Sequence, residues 1–236
     1  MGKIDLSVVI PAYNEEKTIQ NTLGVIYDFF RKKGLNFEII VVDDGSSDLT
    51  ALKVNEIKKN ISCINLVSYP ENAGKGEAVR QGVMVSKGAL ILFSDADLST
   101  PVSEIEKFLP FIHQGYDIVI GSRRIKNSLI TRKQPFHRRI SGRIFQLLVR
   151  CVLKLPYSDT QCGFKLFKAN IAKELFSSLV HKGFIFDVEI VYKANVAGYK
   201  IKETGVIWAN DPTTTVRFFK DSLKCFIDLV KIRFGK

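Results

Sequence analysis

Five short, almost wholly apolar runs, at residues 6–11, 37–42, 64–69, 89–94 and 117–121, are separated by stretches with helical spacing at 15–33, 50–60, 75–86 and 102–114. A strand that is apolar at every position, rather than at alternate ones, has both of its faces covered. Such strands interleaved with helices predict an α/β fold, a mostly parallel sheet between two helical layers. Ligands bind such sheets beyond the carboxyl ends of the strands. The residues that follow each apolar run therefore carry the functional information.

Those residues are charged. The first run leads into PAYNEE, the second into Asp43 and Asp44 of VDDGSSD, the fourth into Asp95 and Asp97 of SDADLSTP, and the fifth into Arg123 and Arg124. Asp48 or Thr50, and Ser99 or Thr100, read as helix caps, with Pro101 in a first helical turn. NAGKG (72–76) lacks the full spacing of a nucleotide-triphosphate loop and reads as a glycine-permitted turn into a helix. Asp43, Asp95 and Asp97 do not reduce to turn chemistry. Carboxylates gathered at one sheet edge repel unless a cation or ligand donors intervene. Hard divalent cations such as Mg²⁺ and Mn²⁺ accept one or two protein carboxylates together with phosphate oxygens.

The 236 residues suffice for one large domain, and the net charge of +11 favours an anionic partner: nucleic acid, a phosphorylated ligand or an acidic membrane surface. Four cysteines without a C-x-x-C pair argue against zinc or a disulfide framework. No apolar run reaches the roughly 18 residues of a membrane span. The N-terminus enters a strand pattern too soon for a secretory signal, and Leu6 stands where a myristoylation signal needs Ser or Thr. A cytoplasmic protein is expected.

In order along the chain, VVIPAYNEE, IIVVDDGSSD, NAGKGEAVRQG, DADLSTP, IVIGSRR and DTQCGFKLF resemble the motifs of family 2 glycosyltransferases of the GT-A fold. The branch most similar includes the dolichyl-phosphate glucose and mannose synthases, with DTQCGFKLF leaning toward the glucosyl subgroup. The resemblance implies a nucleotide-sugar half at about 1–122 and an acceptor half at about 123–210, followed by an amphipathic helical extension at 211–236. It implies that Pro11, Tyr13, Glu15, Val41 and Asp43 line the nucleoside pocket. Asp95 and Asp97, with Ala96 between them, would hold a divalent cation, Mg²⁺ or Mn²⁺, and the donor diphosphate. Arg123 would lie near the diphosphate or the acceptor phosphate, Arg138 or Arg139 at a further phosphate position, and Asp159 on the acceptor side. Asp97, Asp159 and Arg123 are thus the expected catalytic set. The family often has Gln two residues after the second Asp. Here Ser99 stands there, which would leave a coordination site to water. A Gly-Ser-Lys stretch common near the C-terminus of relatives is replaced by WANDPTTTVRF, leaving Lys165 or Arg217 as substitutes.

The implied reaction is transfer of a hexose, glucose from UDP-glucose, to a polyprenyl phosphate (dolichyl or undecaprenyl) with inversion. GDP-mannose as donor and a saccharide as acceptor remain alternatives. A phosphate monoester has a second pKa of about 6 and is already a nucleophile, so no strong general base is required. A sugar hydroxyl would need one, with Asp159, Asp187 and Glu189 the nearest acids in sequence. Arg123, Arg124, Lys126, Arg132, Lys133, Arg138, Arg139, Arg143 and Arg150 crowd one segment, and Ile140, Ile144, Leu147, Leu148 and Cys151 share a helical face. This pattern suits a helix lying in a membrane interface. Residues 217–234 mix bulky apolar residues with lysines and suit packing on the domain, a bilayer or another subunit. Membrane association would be peripheral or through a membrane-anchored partner. A nucleic-acid-binding module is disfavoured: cleft carboxylates repel a phosphate backbone, and the basic segment lacks interleaved aromatics.

Overall fold

The computed structural model describes residues 4–210 and 227–234. Nine strands and seven α-helices follow one another between Leu6 and Ala209. The first half runs β1 (Leu6–Ala12), α1 (Ile19–Lys32), β2 (Phe37–Asp44), α2 (Thr50–Lys58), β3 (Ile64–Tyr69), α3 (Lys75–Val85), β4 (Leu90–Ser94), a 3-10 helix (Val102–Lys107), α4 (Leu109–His113) and β5 (Ile118–Ser122). The second half adds β6 (Leu129–Arg132), α5 (Phe136–Leu153), β7 (Phe164–Lys168), α6 (Ala169–Ser177), α7 (Phe186–Val196), β8 (Ile201–Gly205) and β9 (Ile207–Ala209).

Seven strands form one sheet in the order β3-β2-β1-β4-β7-β5-β8, while β6 and β9 pair apart from it. All pairings in the large sheet are parallel except those of β7, which is antiparallel to β4 and to β5. This reversal matters for the site. An antiparallel strand puts its amino end beside its neighbours' carboxyl ends, so the loop before β7 joins the edge where β4 and β5 stop.

Alternate strand residues divide between two cores, as the two-residue period requires. Val8, Ile10, Leu92, Val119, Phe164 and Leu166 pack toward α1 and α2, whereas Val9, Ile91, Phe93, Ile118, Ile120 and Phe167 pack toward α3, α6 and α7. Helix α1 contributes Ile19, Leu23, Ile26 and Phe30 from one stripe. Burial of each such side chain is worth roughly 1.5–3 kcal/mol.

The expected helix at 102–114 is instead a 3-10 turn followed by α4. Pro110 explains the break: it has no N–H to donate, so a helix can start around it but not run through it. Pro101 stands just before the first helical residue rather than within the turn. The helix expected from Glu15 begins at Ile19, because Glu15 is used in a turn whose carbonyl accepts the Thr18 and Ile19 N–H groups. Most of 211–236 lies outside the described residues, including Arg217. Residues 227–234 are helical, with Leu229 and Ile232 buried in the α3–α6–α7 core.

Candidate active site

The site assembles where β1, β2, β4 and β5 end. After Ser94 the chain leaves the sheet, and the Asp95 N–H donates to the Gly163 carbonyl (3.1 Å), extending the β4–β7 ladder by one bond. Gly163 is required here by space: a Cβ on it would stand 1.9 Å from Asp95 Oδ2. The Ala96 carbonyl accepts the Thr22 hydroxyl of α1 (2.6 Å), fixing the loop from the other side. Asp97 accepts both the Ser99 N–H (2.8 Å) and the Ser99 hydroxyl (2.8 Å). Between them Leu98 adopts a left-handed φ of 48°, which costs a non-glycine residue roughly 1–2 kcal/mol. Ser99 thus acts on the carboxylate, bracing Asp97 through both of its donors. Burial, then the neighbouring Asp95 charge, push the Asp97 carboxyl above the usual carboxylate range.

Two kinds of basic group meet these acids. Lys75, the first residue of α3, brings Nζ to 2.6 Å from Asp95 Oδ1. Arg123, just past β5, is held by Asp159: Nε to Oδ2 at 2.7 Å, Nη2 to Oδ1 at 2.9 Å, and its main-chain N–H to Oδ2 at 3.0 Å. Its guanidinium also lies 5.5 Å from the centre of the Trp208 ring. Burial opposes the charge on Arg123, but Asp159 outweighs it and raises the guanidinium pKa further. Burial likewise opposes the Asp159 charge, and Arg123 wins again, holding that carboxyl below its ordinary range. Asp159 is wholly buried and also accepts the Gln161 N–H (3.2 Å). Its oxygens are thus committed to Arg123 and to main-chain N–H groups, away from the open acceptor-side position expected of it.

Lys165 does not substitute for a mobile basic residue. It is buried in mid-strand, paired with Asp187 of α7 and donating to the Cys162 carbonyl (2.6 Å). Glu189 accepts the Val180 and His181 N–H groups and pairs with Lys193, so it braces the loop before α7. The Cys162 thiol is pushed up to about 12, chiefly by burial, which removes it as a nucleophile at neutral pH.

At the β1 and β2 ends, Asp43 is oriented by the Ser46 N–H (3.2 Å) and the Ser68 hydroxyl (3.1 Å). Tyr13 is exposed at the edge, and Pro11 is buried behind it in register with Val42. The Glu15 N–H donates to the Thr50 hydroxyl (2.8 Å), and its carboxylate accepts the Thr18 hydroxyl (2.5 Å). Val41 is wholly buried in the α1-side core and backs the edge rather than lining it. Arg138 lies in the first turn of α5, partly exposed, and its side chain makes no ion pair or hydrogen bond among the described residues.

Three contributors escaped the sequence reading: Lys75, Gly163 and Asp44. Asp44 accepts the Tyr69 hydroxyl (2.7 Å), the Asn72 amide (3.0 Å) and the Ala73 N–H (2.8 Å), tying the β2 end to the NAGKG turn. That turn is a glycine device as expected. Gly74 has a φ of 100°, and a Cβ there would meet the Lys182 carbonyl at 2.6 Å.

The carboxylates suit a divalent cation that keeps water and phosphate in its shell. Asp95 Oδ1 is buried and, apart from its ion pair with Lys75, accepts no hydrogen bond. No cluster of three or more His, Cys, Asp or Glu side chains forms a complete metal cage among the described residues. Mg²⁺ is bound in that manner, by one or two carboxylates plus substrate phosphates.

Comparison with known proteins agrees with this arrangement. Residues 7–176 match the sequence profile described as Glycosyl transferase family 2. The chain is 35% identical to a dolichyl-phosphate beta-glucosyltransferase of Dictyostelium discoideum, over 99% of this chain and 75% of the relative. It is 33% identical to the enzyme of that name from Homo sapiens, over 97% of this chain and 74% of the relative. In three dimensions it resembles glucosyl-3-phosphoglycerate synthase of Mycobacterium tuberculosis, solved with Mn²⁺, uridine diphosphate and phosphoglyceric acid (TM-score 0.71, 21% identity, 98% of this chain and 79% of that one). Mannosyl-3-phosphoglycerate synthase of Rubrobacter xylanophilus has the same fold (TM-score 0.71, 19% identity, 98% and 74% coverage). With the profile spanning most of its sheet and both aspartates, the chain belongs to glycosyl transferase family 2 and is a glycosyltransferase of the GT-A fold.

Proposed function

We propose that this protein transfers glucose from UDP-glucose to a polyprenyl phosphate, dolichyl or undecaprenyl, using Mg²⁺ or Mn²⁺. The observation that carries the reading is the Asp95–Asp97 pair just past the end of β4, with Lys75 paired to Asp95 and Arg123 just past the end of β5. The names of its relatives, which match almost the full chain, support the choice of sugar and acceptor.

Asp95 and Asp97 would hold the metal. When bound, that ion neutralises charge on the departing nucleoside diphosphate. The protein's own groups do the rest. Ser99 holds Asp97 in place, and Gly163 leaves Asp95 room to stand where it does. Asp43, Tyr13 and Glu15 receive the nucleoside at the adjoining edge, with Pro11 packed behind them. Asp159 takes Nε and Nη2 of Arg123, fixing its direction and leaving Nη1 for an incoming phosphate. A fixed guanidinium lowers the entropic cost of binding that phosphate and orients it for attack. No basic carboxylate is needed to activate a nucleophile that is already anionic.

The acceptor arrives in a membrane, and α5 supplies a surface for it. Ile140, Ile144, Leu147 and Leu148 are 41%, 56%, 60% and 36% exposed, and Phe136 at its start is 74% exposed. Arg138, Arg139, Arg143 and Arg150 lie on the same helix. Apolar residues bordered by arginines suit an anionic bilayer surface. No helix among the described residues is long and apolar enough to cross a membrane. The deciding experiment is transfer from radiolabelled UDP-glucose or GDP-mannose to a short polyprenyl phosphate with Mg²⁺ or Mn²⁺. Glucosyl-lipid product supports the proposal. Mannosyl product alone overturns the donor, and no transfer from either donor overturns the acceptor.

A further inference from the structure

We propose that Lys75 is the built-in counter-ion of the carboxylate pair and competes with the divalent cation for Asp95, so that metal and donor diphosphate bind together rather than metal first. This rests on the reading of Asp95 and Asp97 as the metal-holding residues.

The NAGKG turn offers the site little besides this one side chain. Most of its main-chain donors point elsewhere: the Ala73 and Gly74 N–H groups go to Asp44, and the Gly76 and Glu77 N–H groups go to the Lys182 carbonyl. With those four donors committed, the turn does not form a full amide cradle for phosphate, although it opens a helix. Its Lys75 ammonium is instead delivered to Asp95 Oδ1 at 2.6 Å and rests 5.5 Å from the centre of the Phe93 ring. Both side chains of the pair stay partly open, 25% and 30% exposed, so a soluble cation and an anion can reach them.

The neighbouring lysine has no such freedom. Lys165 is 2% exposed and is committed to Asp187 and the Cys162 carbonyl. That pair cancels its own charge. Asp95, Asp97 and Lys75 then leave a single negative charge for an incoming metal. A divalent cation alone would turn this to net positive, with an ammonium forced against it at a few ångströms. A diphosphate reverses the balance, because it gives the displaced ammonium a new partner. Metal and diphosphate must then strengthen one another, and by linkage each does so equally.

The test is Mn²⁺ binding to the full chain, read from the electron paramagnetic resonance of free Mn²⁺, with and without UDP. Wild type is expected to bind Mn²⁺ weakly alone and more tightly with UDP. In Lys75→Met, Mn²⁺ alone should bind about tenfold more tightly, and the gain from UDP should shrink by a similar factor. Lys75→Gln is a second neutral variant should the methionine fail to fold, and Lys75→Arg, which keeps the charge, should behave as wild type. Mn²⁺ affinity within twofold of wild type in a folded neutral variant overturns the inference. Asp97→Ala separates the two levels. If it binds Mn²⁺ as wild type does, the metal site itself has been misplaced. If it abolishes binding while the Lys75 variants change nothing, only the role of Lys75 falls.

Discussion

Asp95, just past β4, and Asp159, in the loop before β7, both lie at the edge where β4 and β5 end, yet their surroundings are opposite. Asp159 is fully buried and saturated, with two guanidinium bonds and main-chain N–H groups on its two oxygens. Asp95 is 30% exposed, with one oxygen whose sole partner is a lysine that is itself partly open to solvent. A saturated buried acid stabilises a shape, because its partners offset its desolvation. An under-partnered acid at a ligand edge keeps capacity for a cation. On the proposed reading, the contrast separates a structural carboxylate from a metal-holding one, a distinction that proximity to motifs does not make.

Three substitutions would sharpen or break that contrast. The largest stability effect belongs to Asp159→Asn, which leaves Arg123 buried and unpaired and should cost roughly 3–5 kcal/mol at neutral pH. Because the folded pKa of Asp159 is depressed, its contribution is complete above the unfolded value of about 3.9 and is lost as pH falls through the lower folded value. Denaturant unfolding of both proteins should therefore show a gap that closes in acid. A gap independent of pH would show that the carboxylate charge is not what stabilises. Next, Asp95→Ala should leave the melting temperature nearly unchanged but slow transfer about 10²- to 10³-fold, the equivalent of roughly 3–4 kcal/mol in the barrier. Equal losses of stability and turnover would erase the division between the two acids. Smallest in the folded state is Leu147→Glu on the exposed face of α5, expected to change stability by no more than about 0.5 kcal/mol. Its effect should appear in co-sedimentation with anionic liposomes, and unaltered binding would exclude this face as the contact.

Much of this was legible in the chain. The apolar runs marked β1, β2, β4 and β5 because a doubly covered strand has no polar face to show, while β3, at the sheet edge, is only partly buried. Asp95 and Asp97 stood out because two acids immediately after such a run have no role in a core. The second half was not read at this level. Lys165 interrupts the β7 run with a charge, and only the fold reveals that Asp187, 22 residues on, neutralises it. Lys75 looked like part of a turn, since nothing local indicates that its ammonium reaches across to Asp95.

The sequence by itself determined the alternation of strands and helices, the sheet edge that carries the acids, and the family, because each depends on local pattern or on motif order. Tertiary structure alone decided which charges pair. The reversed β7 carries Gly163 and the Asp159 loop to the ends of β4 and β5, and the α3 start delivers Lys75 to the same place. Pairing depends on distances of a few ångströms between residues 20 to 36 positions apart along the chain, and Coulomb energy follows distance in space, not in sequence.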